Sequence, residues 1–187
     1  MLSVLCELAL FGACAWAARG SGCRRQGWAV LGFALLGVAA LLGALTYAGL
    51  ETASEPHRWL STAAGRVALL LIAFAGGLGR WRVLGVMAAL AVMSMLPDKL
   101  ALAGNLAALL AIAWKGRSAH WTFAVTGVAL FASAGLLIGT HGEWLGIARL
   151  DLFHLCLAAA VLAWGAAGVG EGRLVGRSER QELARGH

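Results

Sequence analysis

Seven stretches of mostly apolar residues run along the chain, separated by short polar segments. They lie near residues 2–18, 27–50, 57–79, 81–96, 98–114, 119–140 and 150–170. A helix needs about 20 apolar residues to cross the hydrocarbon core of a bilayer, with a range of about 17–25. The pattern therefore predicts an all-α membrane protein with seven transmembrane helices. The fourth and fifth stretches are short and meet at residues 97–99, so a single bent or re-entrant pair is the alternative there.

The charge of the connecting segments predicts an orientation. Basic residues follow the first, third, fifth and seventh stretches: Arg19, Arg24, Arg25, Arg80, Arg82, Lys115, Arg117, Arg173, Arg177, Arg180 and Arg185. The opposite side holds Arg58, Lys99 and Arg149. Cytoplasmic loops carry an excess of Lys and Arg, which predicts an external N-terminus and a cytoplasmic C-terminus. We therefore expect a multi-pass protein of a bacterial inner (plasma) membrane.

The composition agrees with this class. The chain is 60% hydrophobic and only 13% charged, whereas soluble domains contain about 25% charged residues. Its net charge of +6 comes from short loops and the tail, so we expect the lipid bilayer as partner and no nucleic acid. We divide the chain into a transmembrane domain, 1–172, and a basic cytoplasmic tail, 173–187.

Acidic residues and histidines collect on the side opposite the basic loops: Glu51, Glu55, His57, Asp98, His141, Glu143, Asp151 and His154. Residues three or four apart share a helix face, as His57 does with Ser61 and Asp151 with His154. Imidazoles and carboxylates are natural zinc ligands.

The metal hypothesis assigns a zinc ion to His57, His141 and His154. Asp151 or Glu51 would then act as the base, and Ser61 is a further catalytic candidate. The alternative is that these polar residues only cap helix ends near water, where the helix dipole favours an acid such as Asp151.

Two charged residues lie well away from the ends of apolar stretches, Glu7 in the first and Arg66 in the third. An intramembrane Arg costs at least about 2.5 kcal/mol on insertion scales and therefore needs a partner. We expect a buried Arg66–Glu7 pair, and the alternative is that Arg66 binds an anionic substrate or lipid headgroup. Asn105 is expected to form a hydrogen bond between helices.

Seven spans with Asp, Ser and His near one membrane face resemble the superfamily of alkaline ceramidases, adiponectin-type receptors and Per1-like proteins. The matching residues are His57 with Ser61 and Asp151 with His154, although the superfamily has Ser before His and a second His in the last span. The stretch 150–154 also resembles the D-[LI]-F-H last span of small bacterial membrane proteins. The superfamily resemblance implies a zinc-dependent hydrolase of a lipid or lipid-linked substrate.

Two other function classes fit the same pattern. One is a membrane accessory or sensor protein without catalysis, whose polar residues only cap helices. The other is a small transporter in which the first three spans and the last three are parallel repeats joined by the fourth.

Overall fold

The computed structural model describes residues 1–75, 79–115, 120–144 and 146–169. This part of the chain forms seven α-helices: α1 (Leu2–Cys23), α2 (Gly27–Tyr47), α3 (Ser54–Ala73), α4 (Arg80–Met95), α5 (Asp98–Lys115), α6 (Trp121–Ser133) and α7 (Arg149–Ala167). Each apolar stretch is thus helical within a few residues of its predicted bounds. The predicted tail, 173–187, and the basic residue Arg117 lie outside the described residues.

Short elements modify the connections between these helices. A 3-10 turn, Glu51–Ala53, precedes α3, and a π-helical turn, Ala134–Ile138, prolongs α6. Between α6 and α7, β1 (Glu143–Trp144) pairs antiparallel with β2 (Ile147–Ala148). Gly146 sits in this hairpin with φ 77°, a conformation that glycine adopts without steric cost.

Among the described residues, four helical segments are long and apolar enough to cross a membrane: Leu2–Cys23, Gly27–Tyr47, Trp121–Ile138 and Arg149–Ala167. These are the features of a membrane protein. By contrast, α4 has 16 residues and is about 24 Å long at 1.5 Å per residue. That length is below the roughly 30 Å of a hydrocarbon core.

Six of the helices form a closed ring. In ring order α1, α2, α3, α5, α6 and α7 each pack on the next, and α7 packs back on α1. In the described residues α4 packs mainly on the outside of α3, where Val86 joins Trp28 and Leu71 in a small apolar cluster. We call the end of the ring at which α1, α3, α5 and α7 begin its upper end.

Small residues let these helices approach closely. A Cβ atom added at Gly32 of α2 would stand 2.8 Å from the carbonyl oxygen of Ala68 in α3. One added at Gly127 of α6 would stand 2.5 Å from the Trp164 ring of α7. Trp164 is fully buried and stacks on Phe131 at 5.4 Å between ring centroids. Helix backbones that come this close are typical of membrane helix packing.

Arg66 has a different partner from the one predicted. Its Nη2 lies 2.8 Å from Oδ1 of Asp98, and its Nη1 donates to the carbonyl oxygen of Ser94 at 3.0 Å. The predicted Arg66–Glu7 pair is therefore wrong, because Arg66 on α3 faces the α4–α5 connection while α1 packs between α2 and α7. The Nδ2 of Asn105 donates to the Gly65 carbonyl at 2.7 Å, which confirms the predicted hydrogen bond between helices.

We predict that Gly32→Ala lowers the thermal midpoint of the protein in detergent, because the new methyl group must displace the α3 backbone. Overpacking of this kind costs about 1–3 kcal/mol. Gly12→Ala is the matched control, since a Cβ at Gly12 on α1 meets nothing within 4 Å. Equal midpoints for the two variants would contradict the close α2–α3 contact.

Candidate functional site

A polar cluster lies near the upper end of the ring, in apolar surroundings. Glu7 on α1 and His154 on α7 each lie five residues after the start of their helix, about 8 Å along the axis. The Nε2 atom of His154 lies 3.5 Å from Oε1 of Glu7, and the exposed fractions of the two side chains are 12% and 1%. The α1–α7 contact therefore buries a carboxylate against an imidazole.

Gly43 on α2 allows this arrangement. A Cβ atom at this position would collide with the Glu7 carboxylate and stand 2.9 Å from Cε1 of His57. Both side chains therefore lie directly against the α2 backbone. Glu7, His57 and His154 consequently meet at one depth although they come from three helices.

The tautomer of His57 follows from its hydrogen bond to α2. Its Nδ1 lies 3.0 Å from the carbonyl oxygen of Ala39, and a carbonyl can only accept a hydrogen bond. Nδ1 therefore carries the proton and Nε2 carries a lone pair. A backbone carbonyl on one ring nitrogen is the usual way in which a histidine is oriented for work at the other nitrogen.

Ser61 lies one turn below His57 on α3, and its Oγ is 3.3 Å from the same Nδ1. Because that nitrogen already donates to Ala39, it cannot accept the serine proton. The hydroxyl of Ser61 can thus donate a hydrogen bond to another acceptor beside it. His57 does not activate Ser61 as a nucleophile in this geometry.

Asp151 completes the cluster. It lies in the first turn of α7 and is only 4% exposed, so it is not a solvated helix cap. It lies three residues before His154 and therefore on the same face of α7. We define the polar cluster as Glu7, His57, Ser61, Asp151 and His154.

Several buried atoms of this cluster have no hydrogen-bond partner in the structure: Glu7 Oε1, Asp151 Oδ1 and His154 Nδ1. A buried polar atom without a partner costs about 1–3 kcal/mol, so folded proteins contain few of them. Three such atoms lie in this one cluster and five lie elsewhere in the described residues. Their concentration makes the cluster the candidate functional site.

A cavity of about 280 Å³ runs alongside the cluster. All six ring helices line it, and α4 does not. Its polar lining consists of Glu7, His57, Ser61, His154 and, deeper in the ring, Asn105; most other lining residues are apolar, chiefly Leu, Ala and Phe. A largely apolar pocket with a few convergent polar groups is the usual form of a small-molecule site.

Other predicted site residues lie elsewhere. Glu51 is exposed in the 3-10 turn. His141 is exposed between α6 and β1, where its Nδ1 lies 3.1 Å from the hydroxyl of Thr140. Within the described ranges, no three His, Cys, Asp or Glu side chains are placed to hold a metal ion. The predicted zinc set of His57, His141 and His154 is therefore not assembled in this structure.

Sequence reasoning missed the role of Glu7 as the partner of His154. The signal was present, because both residues lie about one and a half turns inside helices that begin on the same side of the ring. Their proximity could not be predicted from the order of the helices in the chain, since the first and last helices become neighbours only when the ring closes.

Comparison with known proteins supplies no relative. No protein-family model, curated protein or solved structure matches this chain. The resemblance to the ceramidase and adiponectin-receptor superfamily stays a prediction. Function has to be inferred from the polar cluster and its cavity.

We predict that the double variant Glu7→Met/His154→Leu is at least as resistant to thermal unfolding as the wild type. Replacing both partners of a buried polar contact by apolar side chains of similar shape can be nearly neutral or stabilising. The matched control is Leu10→Ala/Leu157→Ala, which removes buried apolar side chains from the same two helices and should destabilise strongly. A midpoint for the Glu7 and His154 variant as low as that of the control would show that the pair supports the fold.

Proposed function

We propose that the protein is a membrane-embedded hydrolase that cleaves the ester or amide bond of a lipid at the polar cluster. The observation that carries this proposal is the buried Glu7–His154 pair, which borders an apolar cavity inside a ring of helices. Burying ionisable side chains within membrane-spanning helices carries a free-energy cost, and such residues mark functional sites in membrane proteins.

The cavity supports a lipid as substrate. Leucine side chains from α1, α2, α3, α5, α7 and the π-helical turn after α6 line it. An acyl chain in the cavity would therefore contact mainly apolar groups. The polar cluster stands near the end of the ring from which the headgroup of a lipid would approach. An acyl chain in the cavity would therefore place its headgroup bond beside His57 and His154.

His154 is the proposed general base. Nε2 lies 3.5 Å from Glu7 Oε1, and a slightly closer approach would let it donate a hydrogen bond to the carboxylate. The lone pair of the imidazole would then lie on Nδ1. That atom is buried and has no partner in the structure. A carboxylate that orients a histidine in this way is a recurrent feature of acid–base catalysis.

The reaction then balances as follows. His154 Nδ1 takes a proton from a water molecule while the water oxygen bonds to the acyl carbon. The bond from that carbon to the leaving oxygen or nitrogen breaks, and the leaving group receives the proton from His154. The hydroxyl of Ser61, free to donate, would stabilise the negative charge that develops on the acyl oxygen.

We further propose that all seven helices cross the membrane with the N-terminus outside, which places the polar cluster in the outer leaflet. The basic loops after α1 and α3 then lie in the cytoplasm, as the positive-inside rule requires. Within this frame the short α4 and α5 are accommodated by local thinning of the bilayer.

We predict that purified wild type in nanodiscs releases fatty acid from a monoacylglycerol or from a long-chain N-acyl amide. Glu7→Gln and His154→Gln should each lower the rate by about 10²–10⁴-fold, the usual contribution of acid–base groups.

The controls for this experiment are matched by residue type. Glu55→Gln changes an exposed acid that pairs with Arg58 at 2.5 Å, and His141→Gln changes an exposed histidine outside the cluster. Both should keep the wild-type rate. Equal losses in the control and cluster variants, or no release by the wild type, would contradict the proposal.

One observation favours a second candidate, a small transporter. The first three and last three helices are sequential neighbours that together close the ring, with α4 outside it. This is the arrangement expected of two parallel three-helix repeats joined by a linker. A transporter would move a solute across proteoliposomes without changing it, whereas a hydrolase would release a product.

For orientation, we predict that a reporter fused after His187 is active only if it functions in the cytoplasm. A reporter that needs the periplasm should be inactive at the same position. Periplasmic activity after residue 187 would contradict the proposed orientation and would move the polar cluster to the inner leaflet.

A further inference from the structure

The cavity reaches the lipid-facing surface of the ring between α5 and α6. Three of its lining leucines are themselves exposed: Leu102 by 49%, Leu106 by 37% and Leu136 by 56%. Gly135, which also lines the cavity, is exposed as well. Side chains that border both the cavity and the outer surface mark the place where the two are continuous.

The backbone at this opening is irregular. Gly135 and Leu136 belong to the π-helical turn at the end of α6, and such turns often occur at functional sites. A Cβ at Gly135 would meet nothing within 4 Å, although elsewhere on α6 Gly127 is packed tightly against Trp164. The upper part of α6 therefore leaves space that its lower part does not.

The size of the cavity limits what can occupy it. Ligand sites for small molecules usually measure about 300–1,000 Å³, and this cavity, at about 280 Å³, lies at the lower end of that range. One acyl chain suits this volume better than two. The apolar lining gives such a chain no polar group to desolvate.

The charge at the cluster limits the headgroup. The Glu7 side chain lines the cavity, and a carboxylate oxygen calls for an N–H or O–H donor. No Lys or Arg of the described residues lines the cavity. A phosphate headgroup would thus meet the Glu7 carboxylate and no cation, which is unfavourable.

We propose that the cavity admits a single-chain lipid sideways from the bilayer, between α5 and α6, and binds a headgroup that carries hydroxyl or ammonium donors and no phosphate. This inference rests on the proposed function for the location of the lipid, and it adds the route and the class of headgroup. The donor groups would meet the Glu7 carboxylate while the chain lies along Leu102, Leu106 and Leu136.

The test uses a ligand that cannot be hydrolysed, so that binding and catalysis are measured separately. The probe is a monoalkylglycerol ether with a photoreactive diazirine in the alkyl chain, added to the full-length protein in nanodiscs. Labelled residues are identified by mass spectrometry. We expect labelling of α5 and the π-helical turn at or next to Leu102, Leu106 and Leu136.

Competition then tests the headgroup. Unlabelled monoalkylglycerol ether, which carries hydroxyl groups, and a long-chain primary amine, which carries an ammonium group, should both reduce labelling. The one that competes better shows which kind of donor the site prefers. The matching monoalkyl phosphate should compete at least about tenfold less well, which corresponds to about 1.4 kcal/mol. The proposed recognition would be overturned if the phosphate competed as well as the better of the other two lipids. It would also be overturned if none of the three lipids reduced labelling.

Blocking the opening tests the route. Gly135→Phe should reduce labelling about tenfold or more, and Gly65→Phe, which fills the cavity from α3 where a Cβ also meets nothing within 4 Å, should do the same. Gly12→Phe on α1 and Gly85→Phe on α4 are the controls, since neither glycine lines the cavity. Unchanged labelling in Gly135→Phe would overturn the lateral route.

The wild type also separates this inference from the proposed function. If it is labelled as expected but releases no fatty acid from the ester, hydrolysis is contradicted and the inference about binding stands.

Discussion

The contact on which the rest of the site depends is the burial of Glu7 against His154 where α1 meets α7. The two side chains come from opposite ends of the chain, and their 3.5 Å approach is possible only because the helix ring closes. Gly43 supplies the space for the carboxylate on α2. Because burying such groups carries a free-energy cost that an apolar pair would avoid, their presence is best explained by function.

The polar groups of the ring divide into two kinds. Arg66 with Asp98, and Asn105 with the Gly65 carbonyl, have partners at 2.8 and 2.7 Å and hold α3 to α5. The polar cluster instead retains buried atoms without partners and borders the cavity. Buried atoms without partners also occur outside the cluster, among them Gln26 Oε1, Asn105 Oδ1 and Trp164 Nε1. The concentration of three such atoms in one cluster makes it the candidate site.

The helices could be predicted from the sequence because apolar runs and their polar borders are local properties. The same holds for the residues His57, Ser61, Asp151 and His154, which follow from spacing within single helices. The pairing of Arg66 with Asp98 and of Glu7 with His154 could not be predicted, because it depends on ring order and on the position of α4 outside the ring. His141 and Glu51 were predicted from their proximity to helix ends, yet loop conformation leaves both exposed.

The central claim is that this cluster adds water to an acyl bond. Its most direct test is a reaction of the purified protein in nanodiscs with monoacylglycerol or N-acyl amide in water enriched in ¹⁸O. Hydrolysis at the cluster predicts one ¹⁸O atom in the carboxylate of each released fatty acid and none in the released alcohol or amine. Fatty acid release no faster than in nanodiscs without protein, or label in the leaving group, would contradict the account.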